Sequence, residues 1–260
     1  MTTYLATVWR FRYFWMSLVR MDLRTRYRRS LLGVGWSLMQ PLAMTAIFCL
    51  VFPFFMHVSV REYVPHALTG LVCWSFVVGC AVAGCHTFII SEAYIRQCPL
   101  PLAIYPLRTS LGALFHLAMG MGVLTVVCTV MRGFPGVGPL LSLVPTLALM
   151  FVFGWAMAAL SGTFNVFFQD TQHLAEVGFQ ILFYLTPIIY RLSDLPRHRL
   201  SWLLQWNPLV AFLNLVRAPL LDGAVPTPGQ YLHAAAIAAA LAAVAAAVLG
   251  RMQKRLIFYL

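Results

Sequence analysis

Long apolar runs alternate with short polar stretches along almost the whole chain. Six runs are long enough for a helix to cross the roughly 30 Å hydrocarbon layer of a membrane, which takes about 20 residues. These runs cover residues 36–55, 68–90, 111–131, 140–168, 173–190 and 231–249. The pattern predicts an all-α integral membrane protein with six transmembrane helices in a single domain, residues 1–260, with spans 1–5 in residues 31–190.

One further apolar stretch, residues 200–221, is not expected to cross. Pro208 splits it into two pieces that are too short to span a membrane. A seventh crossing would also separate the basic tail, Arg251, Lys254 and Arg255, from the arginine-rich N-terminus. We therefore predict that residues 191–230 form an outer loop with short re-entrant helices. Residues 231–260 then hold span 6 and a cytoplasmic tail.

Residues 1–30 have a different pattern, in which apolar and basic positions recur with a helical period. On a helix over residues 4–24 the apolar side chains share one face, and Arg10 and Arg20 lie opposite. This predicts an amphipathic helix lying in the inner membrane interface. The basic junction that leads into the first span contains Arg24, Arg26, Arg28 and Arg29. Two roles stay open for these arginines: fixing the orientation of the span, or recruiting phosphate groups.

Composition supports a membrane protein, with 61% hydrophobic and only 10% charged residues and a mean hydropathy of +0.82. The net charge of +11 would suggest nucleic-acid binding in a soluble protein, but here the basic residues gather beside the spans. The predicted topology places 12 of the 18 basic residues inside and six outside, counting Arg217 among the outer ones. This is the expected inside bias and puts both termini in the cytoplasm, so we predict no nucleic-acid partner.

Catalytic and metal-binding patterns are missing from the sequence. The seven acidic residues have no spacing suited to paired carboxylates, and no phosphate-binding glycine loop or zinc motif is present. The six cysteines are scattered and are expected to pack as small apolar side chains. His86 and His116, which lie inside predicted spans, are expected to be packing or polar helix contacts. We predict no catalytic residue, no metal site and no cofactor bound by this chain.

Two predicted cytoplasmic loops stand out. Residues 91–108 can form a short helix ended by Pro99, followed by a proline-rich return into the third span. Residues 165–176 form a polar turn in which Asp170 and Thr171 are placed to cap the fifth span. By spacing alone, an ordinary connector and a helix cap account for both loops.

Five segments, in this order, carry a family resemblance. They are RYRRSLLGVGWSLMQPL (26–42), IRQCPLPLAIYPLR (95–108), FFQD (167–170), FYLTPIIY (183–190) and NPLVAFLNLVRAPLL (207–221). The chain resembles the transmembrane permease subunits of type-2 ABC exporters for polysaccharides, which cover O-antigen, capsule, galactan and teichoic-acid carriers. The resemblance implies a bacterial inner-membrane homodimer that moves a lipid-linked polysaccharide. It also implies two copies of a separate nucleotide-binding ATPase subunit, which would hold ATP and Mg.

The resemblance also implies roles for particular residues. The loop that couples to the ATPase would contain Glu92, Tyr94, Ile95, Arg96, Gln97, Pro99, Leu100 and Pro101. The cytoplasmic entrance would combine the basic collar, Arg24, Arg26, Arg28 and Arg29, with the turn at Gln169 and Asp170. This family often has an Arg-Asp pair in that turn, so the Gln169-Asp170 pair departs from the pattern and weakens a charge-pair role there.

A path for sugars is expected to offer stacking rings and hydrogen bonds. The candidate channel aromatics are Trp74, Phe76, Phe183, Tyr184 and Tyr190, although core packing or interface anchoring explains most such rings. Two alternatives to polysaccharide export remain. One is an ABC exporter for drugs or simple lipids, and the other is a membrane-embedded glycosyl or acyl transferase, which the missing acidic and metal-binding groups disfavour.

Overall fold

A computed structural model describes residues 2–28, 30, 33–56, 59–98, 100–191 and 207–260, and this part of the chain is helical with no strand. The α-helices are α1 (Thr2–Arg10), α2 (Arg12–Arg26), α3 (Trp36–Met56), α4 (Val60–Cys85), α5 (Glu92–Gln97), α6 (Ile104–Arg132), α7 (Val137–Phe167), α8 (Thr171–Leu185), α9 (Pro208–Leu221) and α10 (Pro228–Tyr259). A 3₁₀ turn, Gly33–Gly35, leads into α3. The predicted all-α class is confirmed.

Within the described residues, four helices, α4, α6, α7 and α10, are long and apolar enough to cross a membrane. Three other apolar helices are shorter. Helix α3 has 21 residues, α9 has 14 residues, and the 15 residues of α8 reach only about 22 Å. The predicted count of six spans therefore remains a prediction, whereas the membrane-type helical architecture is observed.

The predicted fifth span, residues 173–190, is wrong at its end. Helix α8 stops at Leu185, and Thr186 takes an extended conformation. Pro187 explains this, because proline disfavours the helical conformation of the residue before it and has no N–H to donate. Residues 186–190 therefore run as bent, non-helical backbone.

The N-terminal amphipathic helix is also not continuous, as residues 4–24 had predicted. It breaks at Phe11 into α1 and α2. The indole N–H of Trp15 donates to the Val8 carbonyl across the break, at 3.2 Å, and so satisfies a backbone acceptor there. Helix α2 then packs along α6 and buries Leu18.

Helix α4 lies at the centre of the bundle, in contact with α3, α6, α7, α8 and α9. Small residues bring α4 and α7 close together. A Cβ added to Gly84 would lie 2.6 Å from the Cα of Ala158, and one added to Gly162 would lie 2.7 Å from the Gly84 carbonyl oxygen. Close approach of this kind is the usual way in which membrane helices gain packing energy.

A second cluster lies at one end of the bundle, which we call the inner end. It joins Ile95 of α5, the connecting residue Leu102 and Tyr105 of α6 to Leu249 and Leu256 of α10. The opposite end, which carries residues 186–191 and α9, is called the outer end. All six cysteines are free: Cys73, Cys80, Cys85 and Cys128 are buried, as the sequence predicted, whereas Cys49 is half-buried and Cys98 is exposed.

Candidate functional site

A cleft of about 640 Å³ opens between α2, the start of α3, α4 and α6, and it begins at the inner end. Its charged lining residues are Asp22, Arg26 and Arg108, and its polar lining residues within the apolar helices include Gln40, Ser75, Thr109 and His116. Polar side chains in membrane helices are costly unless they face protein partners or a watery cavity, and they usually mark function. This cleft is therefore the candidate functional site.

The inner end of the cleft holds an ion pair between two helices. The Arg108 guanidinium donates from both Nε and one terminal nitrogen to the two carboxylate oxygens of Asp22. The Arg108 side chain is only 8% exposed, and its other terminal nitrogen lies 3.5 Å from the Ser91 hydroxyl. One arginine thus ties α2 to α6 and to the residue that precedes α5.

A neutral network lies beside this pair. The Tyr27 hydroxyl is 3.0 Å from the Ser37 hydroxyl and 3.3 Å from Nδ1 of His116. It links the end of α2 to the start of α3 and to the middle of α6. His116 is therefore a polar contact between helices, as the sequence predicted.

The predicted basic collar is divided. Arg26 lines the cleft, whereas Arg24 and Arg28 are exposed and do not line it. Arg29 lies outside the described residues. Arg26 forms no ion pair within the described part of the chain, so its charge is available at the mouth of the cleft.

The turn at Gln169 and Asp170 is exposed and does not line the cleft. The predicted cap is wrong, because the Asp170 side chain makes no capping hydrogen bond. Its backbone is helical, with φ −68° and ψ −9°, whereas a capping residue needs an extended backbone to reach the next N–H groups. The Thr171 hydroxyl donates instead to the Phe168 carbonyl.

The predicted coupling loop forms the short helix α5, Glu92–Gln97. Ile95 anchors it in the inner-end cluster, and the Tyr94 ring meets Phe14 of α2 edge-on, with ring centroids 6.0 Å apart. Arg96 and Gln97 are exposed, and Arg96 pairs with Glu92 at 2.8 Å. The next predicted residue, Pro99, lies outside the described residues; Leu100 and Pro101 are half-buried.

The candidate channel aromatics do not form one surface. Trp74 and Phe76 line the cleft, but Phe76 is only 3% exposed and belongs to the main core. Trp74 meets the Phe183 ring edge-on, at 5.5 Å between centroids. Tyr184 is exposed on α8, and its carbonyl accepts a hydrogen bond from the Tyr190 hydroxyl at 3.2 Å.

At the outer end, polar side chains hold the non-helical residues 186–190. Nε2 of His66 lies 3.2 Å from the Tyr190 carbonyl oxygen, and Asn207 donates to the Thr186 hydroxyl at 2.9 Å. A terminal nitrogen of Arg217 lies 3.4 Å from the Ile188 carbonyl oxygen and 3.5 Å from that of His66. Backbone at membrane depth needs such partners.

Arg217 corrects the predicted charge distribution. It was counted among the outer basic residues, but it is buried and adds nothing to the outer surface charge. Helix α9, which carries it, begins with Pro208 and is capped by Asn207, whose side-chain oxygen accepts from the Leu209 N–H at 3.0 Å. This helix has 14 residues; residues 200–206 lie outside the described residues, and that residues 200–221 do not cross stays a prediction.

Comparison with known proteins gives a family and several relatives. Residues 13–221 match the family described as ABC-2 type transporter. The chain is 29% identical over 206 residues, 78% of each protein, to the O-antigen export system permease protein RfbA of Klebsiella pneumoniae. It is 22% identical over 90% of each protein to the O-antigen export system permease protein RfbA of Myxococcus xanthus. It is also 22% identical to the polysialic acid transport protein KpsM of Escherichia coli, over 78% of this chain and 79% of that protein.

Proposed function

This chain belongs to the ABC-2 type transporter family, and we propose that it is the permease subunit of an ATP-driven exporter for a lipid-linked polysaccharide. One observation carries the proposal. The chain aligns with 78% or more of the length of each of these relatives, and they are named as permeases or transport proteins for O-antigen and polysialic acid. The sugar composition of the cargo is left open between O-antigen, capsule, galactan and teichoic-acid types.

In the proposed arrangement α3, α4, α6, α7, α8 and α10 make six crossings, and both termini face the cytoplasm of a bacterial cell. Two copies form a homodimer. Two copies of a separate ATPase, which bind ATP and Mg, dock at the inner end. The exposed apolar residues of α3 and α8, among them Leu50 and Ile181, support a membrane or dimer environment for these helices.

We place the docking surface on α2 and α5, which touch through Phe14 and Tyr94. A push on α5 would reach α6 and α2 through Ser91, Arg108 and Asp22, because one guanidinium contacts both partners. Rigid, well-packed contacts of this kind can pass a shift between elements. The ATPase cycle would thus act directly on the walls of the cleft.

Reconstitution tests the function itself. We expect ATP hydrolysis only when a co-encoded ATPase is present, with stimulation by a lipid-linked glycan but not by drugs or simple lipids. Hydrolysis by the purified chain alone would contradict the proposal. Stimulation by drugs alone would favour the alternative exporter class.

Substitution of Arg96 by Glu tests the docking surface. Arg96 is exposed beside Glu92, so reversal of its charge should reduce recovery of the ATPase in pull-down by about ten-fold while leaving the unfolding temperature within about 2 °C of wild type. Arg251→Glu is the matched control, because Arg251 is also exposed and lies at the inner end of the bundle, on α10. Equal recovery of the ATPase by wild type and Arg96→Glu would remove α5 from the interface.

Thiol labelling tests the topology. With native cysteines replaced, a cysteine at Val225, which is 58% exposed before α10, should react with an impermeant reagent from outside. A cysteine at Phe258, which is 88% exposed near the end of α10, should not. Labelling of both positions from the same side would rule out a crossing by α10.

A further inference from the structure

We propose that the cleft between α2, α3, α4 and α6 binds a single phosphate-bearing lipid of the inner leaflet, with the phosphate at its charged end and the first apolar carbons at its other end. The inference goes beyond the proposed export function. It rests on that function only for the orientation that places α2 at the inner membrane surface. Neither the family match nor the relatives' names assign such a site.

The lining changes from charged to apolar along the cleft. Arg108 and Thr109 line the inner end of the α6 wall, His116 follows, and Leu117 and Gly120 line its far end. From Arg108 to Gly120 a helix rises by about 18 Å. An amphiphile matches this gradient, because a sugar would leave the apolar end unfilled and a hydrocarbon would leave the polar end without hydrogen bonds.

The charge at the mouth favours an anion. Asp22 already pairs with Arg108, so these two charges largely cancel. Arg26 lines the same mouth without an ion pair in the described part of the chain. Arginine binds phosphate through two parallel N–H···O bonds, and such charge-assisted bonds are about twice as strong as neutral ones. The Tyr27, Ser37 and His116 network supplies hydrogen-bonding groups beside it.

The shape of the cleft follows from three glycines. At its far end a Cβ on Gly120 would lie 2.7 Å from a Val72 methyl group, so α4 and α6 touch and close the cleft there. Gly79 and Gly112 line the cleft, and a Cβ on either would meet no atom within 4 Å. The wall therefore has open room where a chain of methylene-sized groups can lie, and a larger side chain at either position would project into open space.

The same property provides a test. Gly112→Leu should fill the cleft without a clash. Gly122→Leu is the matched control, because Gly122 is on the same helix, also meets no atom within 4 Å at its Cβ position and does not line the cleft. Labelling of the purified full-length chain by a photoactivatable polyprenyl phosphate, without ATP, should fall about ten-fold in Gly112→Leu and less than two-fold in Gly122→Leu. The labelled peptide should come from α3 or α6.

Charge is tested at Arg26. Arg26→Gln should lower labelling about ten-fold, because it removes a charge-assisted phosphate contact. Arg26→Lys should retain part of the labelling, since it keeps the charge but loses the two-bond geometry. Circular dichroism and size-exclusion profiles show whether each variant is folded, and Gly79→Leu repeats the filling test from α4 in case Gly112→Leu is misfolded.

Competition identifies the source of the phosphate. If unlabelled polyprenyl phosphate competes much better than phosphatidylglycerol, the site prefers a long isoprenoid phosphate over a two-chain phospholipid. Equal competition by the two lipids supports a site that accepts any anionic phospholipid. Competition by inorganic phosphate, with none by either lipid, would show that the cleft binds phosphate only and would overturn the proposal that it binds a lipid. Equal competition by diacylglycerol, which has no phosphate, or unchanged labelling of Gly112→Leu, overturns the proposal. Because no ATPase is present, these results are independent of whether export is confirmed.

Discussion

The two ends of the helical bundle each bury an arginine, and they compensate its charge differently. At the inner end Arg108 meets the carboxylate of Asp22 and lies beside an open cleft. At the outer end no carboxylate of the described residues pairs with Arg217, which lies against backbone carbonyls, and its Nε has no partner there. The inner arginine joins two helices, α2 and α6, whereas the outer one contacts the non-helical segment 186–190.

The largest effect is expected at the inner end. Asp22→Ala leaves the Arg108 charge buried without a counter-charge, which should lower the free energy of unfolding in detergent by about 3 kcal/mol, measured by thermal or denaturant unfolding. Asp170→Ala removes an exposed acidic side chain that caps nothing, and it should change stability by less than about 0.5 kcal/mol. The comparison fails if the two variants are equally stable. A double exchange, Asp22→Arg with Arg108→Asp, should recover part of the loss.

A smaller effect is expected at the outer end. Arg217→Leu removes the side-chain donor from the Ile188 carbonyl and a second contact from the His66 carbonyl, which should cost about 2 kcal/mol on the same measurement. Arg132 also donates to a backbone carbonyl, that of Leu221, but is exposed. Water can replace it, so Arg132→Leu should cost less than about 0.5 kcal/mol. Arg217→Leu should leave lipid labelling of the cleft unchanged; a loss of labelling would show that the two ends are not independent.

The smallest losses of stability are expected when one neutral hydrogen-bonding side chain is removed at each end. Asn207→Ala removes both the α9 cap and the bond to Thr186, and should cost about 1.5 kcal/mol. Tyr27→Phe removes the contacts to Ser37 and His116, which face a cleft that water can enter, and should cost about 0.5 kcal/mol. Reversal of this order would mean that the inner network is as well shielded from water as the outer one.

The sequence predicted the parts of the fold that depend on local patterns. Hydropathy located the long helices. The short helix α5 was predicted because Pro99 and Pro101 follow it and prevent the helix from continuing. The end of α8 was mispredicted because the apolar run continues through Ile188 and Ile189, although Pro187 gave the signal that stops the helix. The break at Phe11 has no such marker, since it is stabilised by the Trp15 indole seven residues from its acceptor.

Contacts between distant residues account for what sequence reasoning missed at the site. Asp22 and Arg108 are 86 positions apart in the sequence. Neither residue points to the other by itself, because Asp22 is an acidic residue among arginines and Arg108 is an arginine near the start of an apolar helix. A usable signal did exist, because Asp22 is the only acidic residue before Glu62. The room beside Gly79 and Gly112 depends on how α4 and α6 cross, which no local pattern encodes.

The length of α10 has a mechanical consequence. Its 32 residues form a rod of about 48 Å, roughly 18 Å longer than the hydrocarbon layer is thick. Near its inner end, Leu249 and Leu256 pack against the same cluster as Ile95 of α5. A rotation of about 5° around the outer end of such a rod would displace the inner end by about 4 Å. Any tilt of α10 would therefore be largest, as a sideways displacement, where the helix packs near α5.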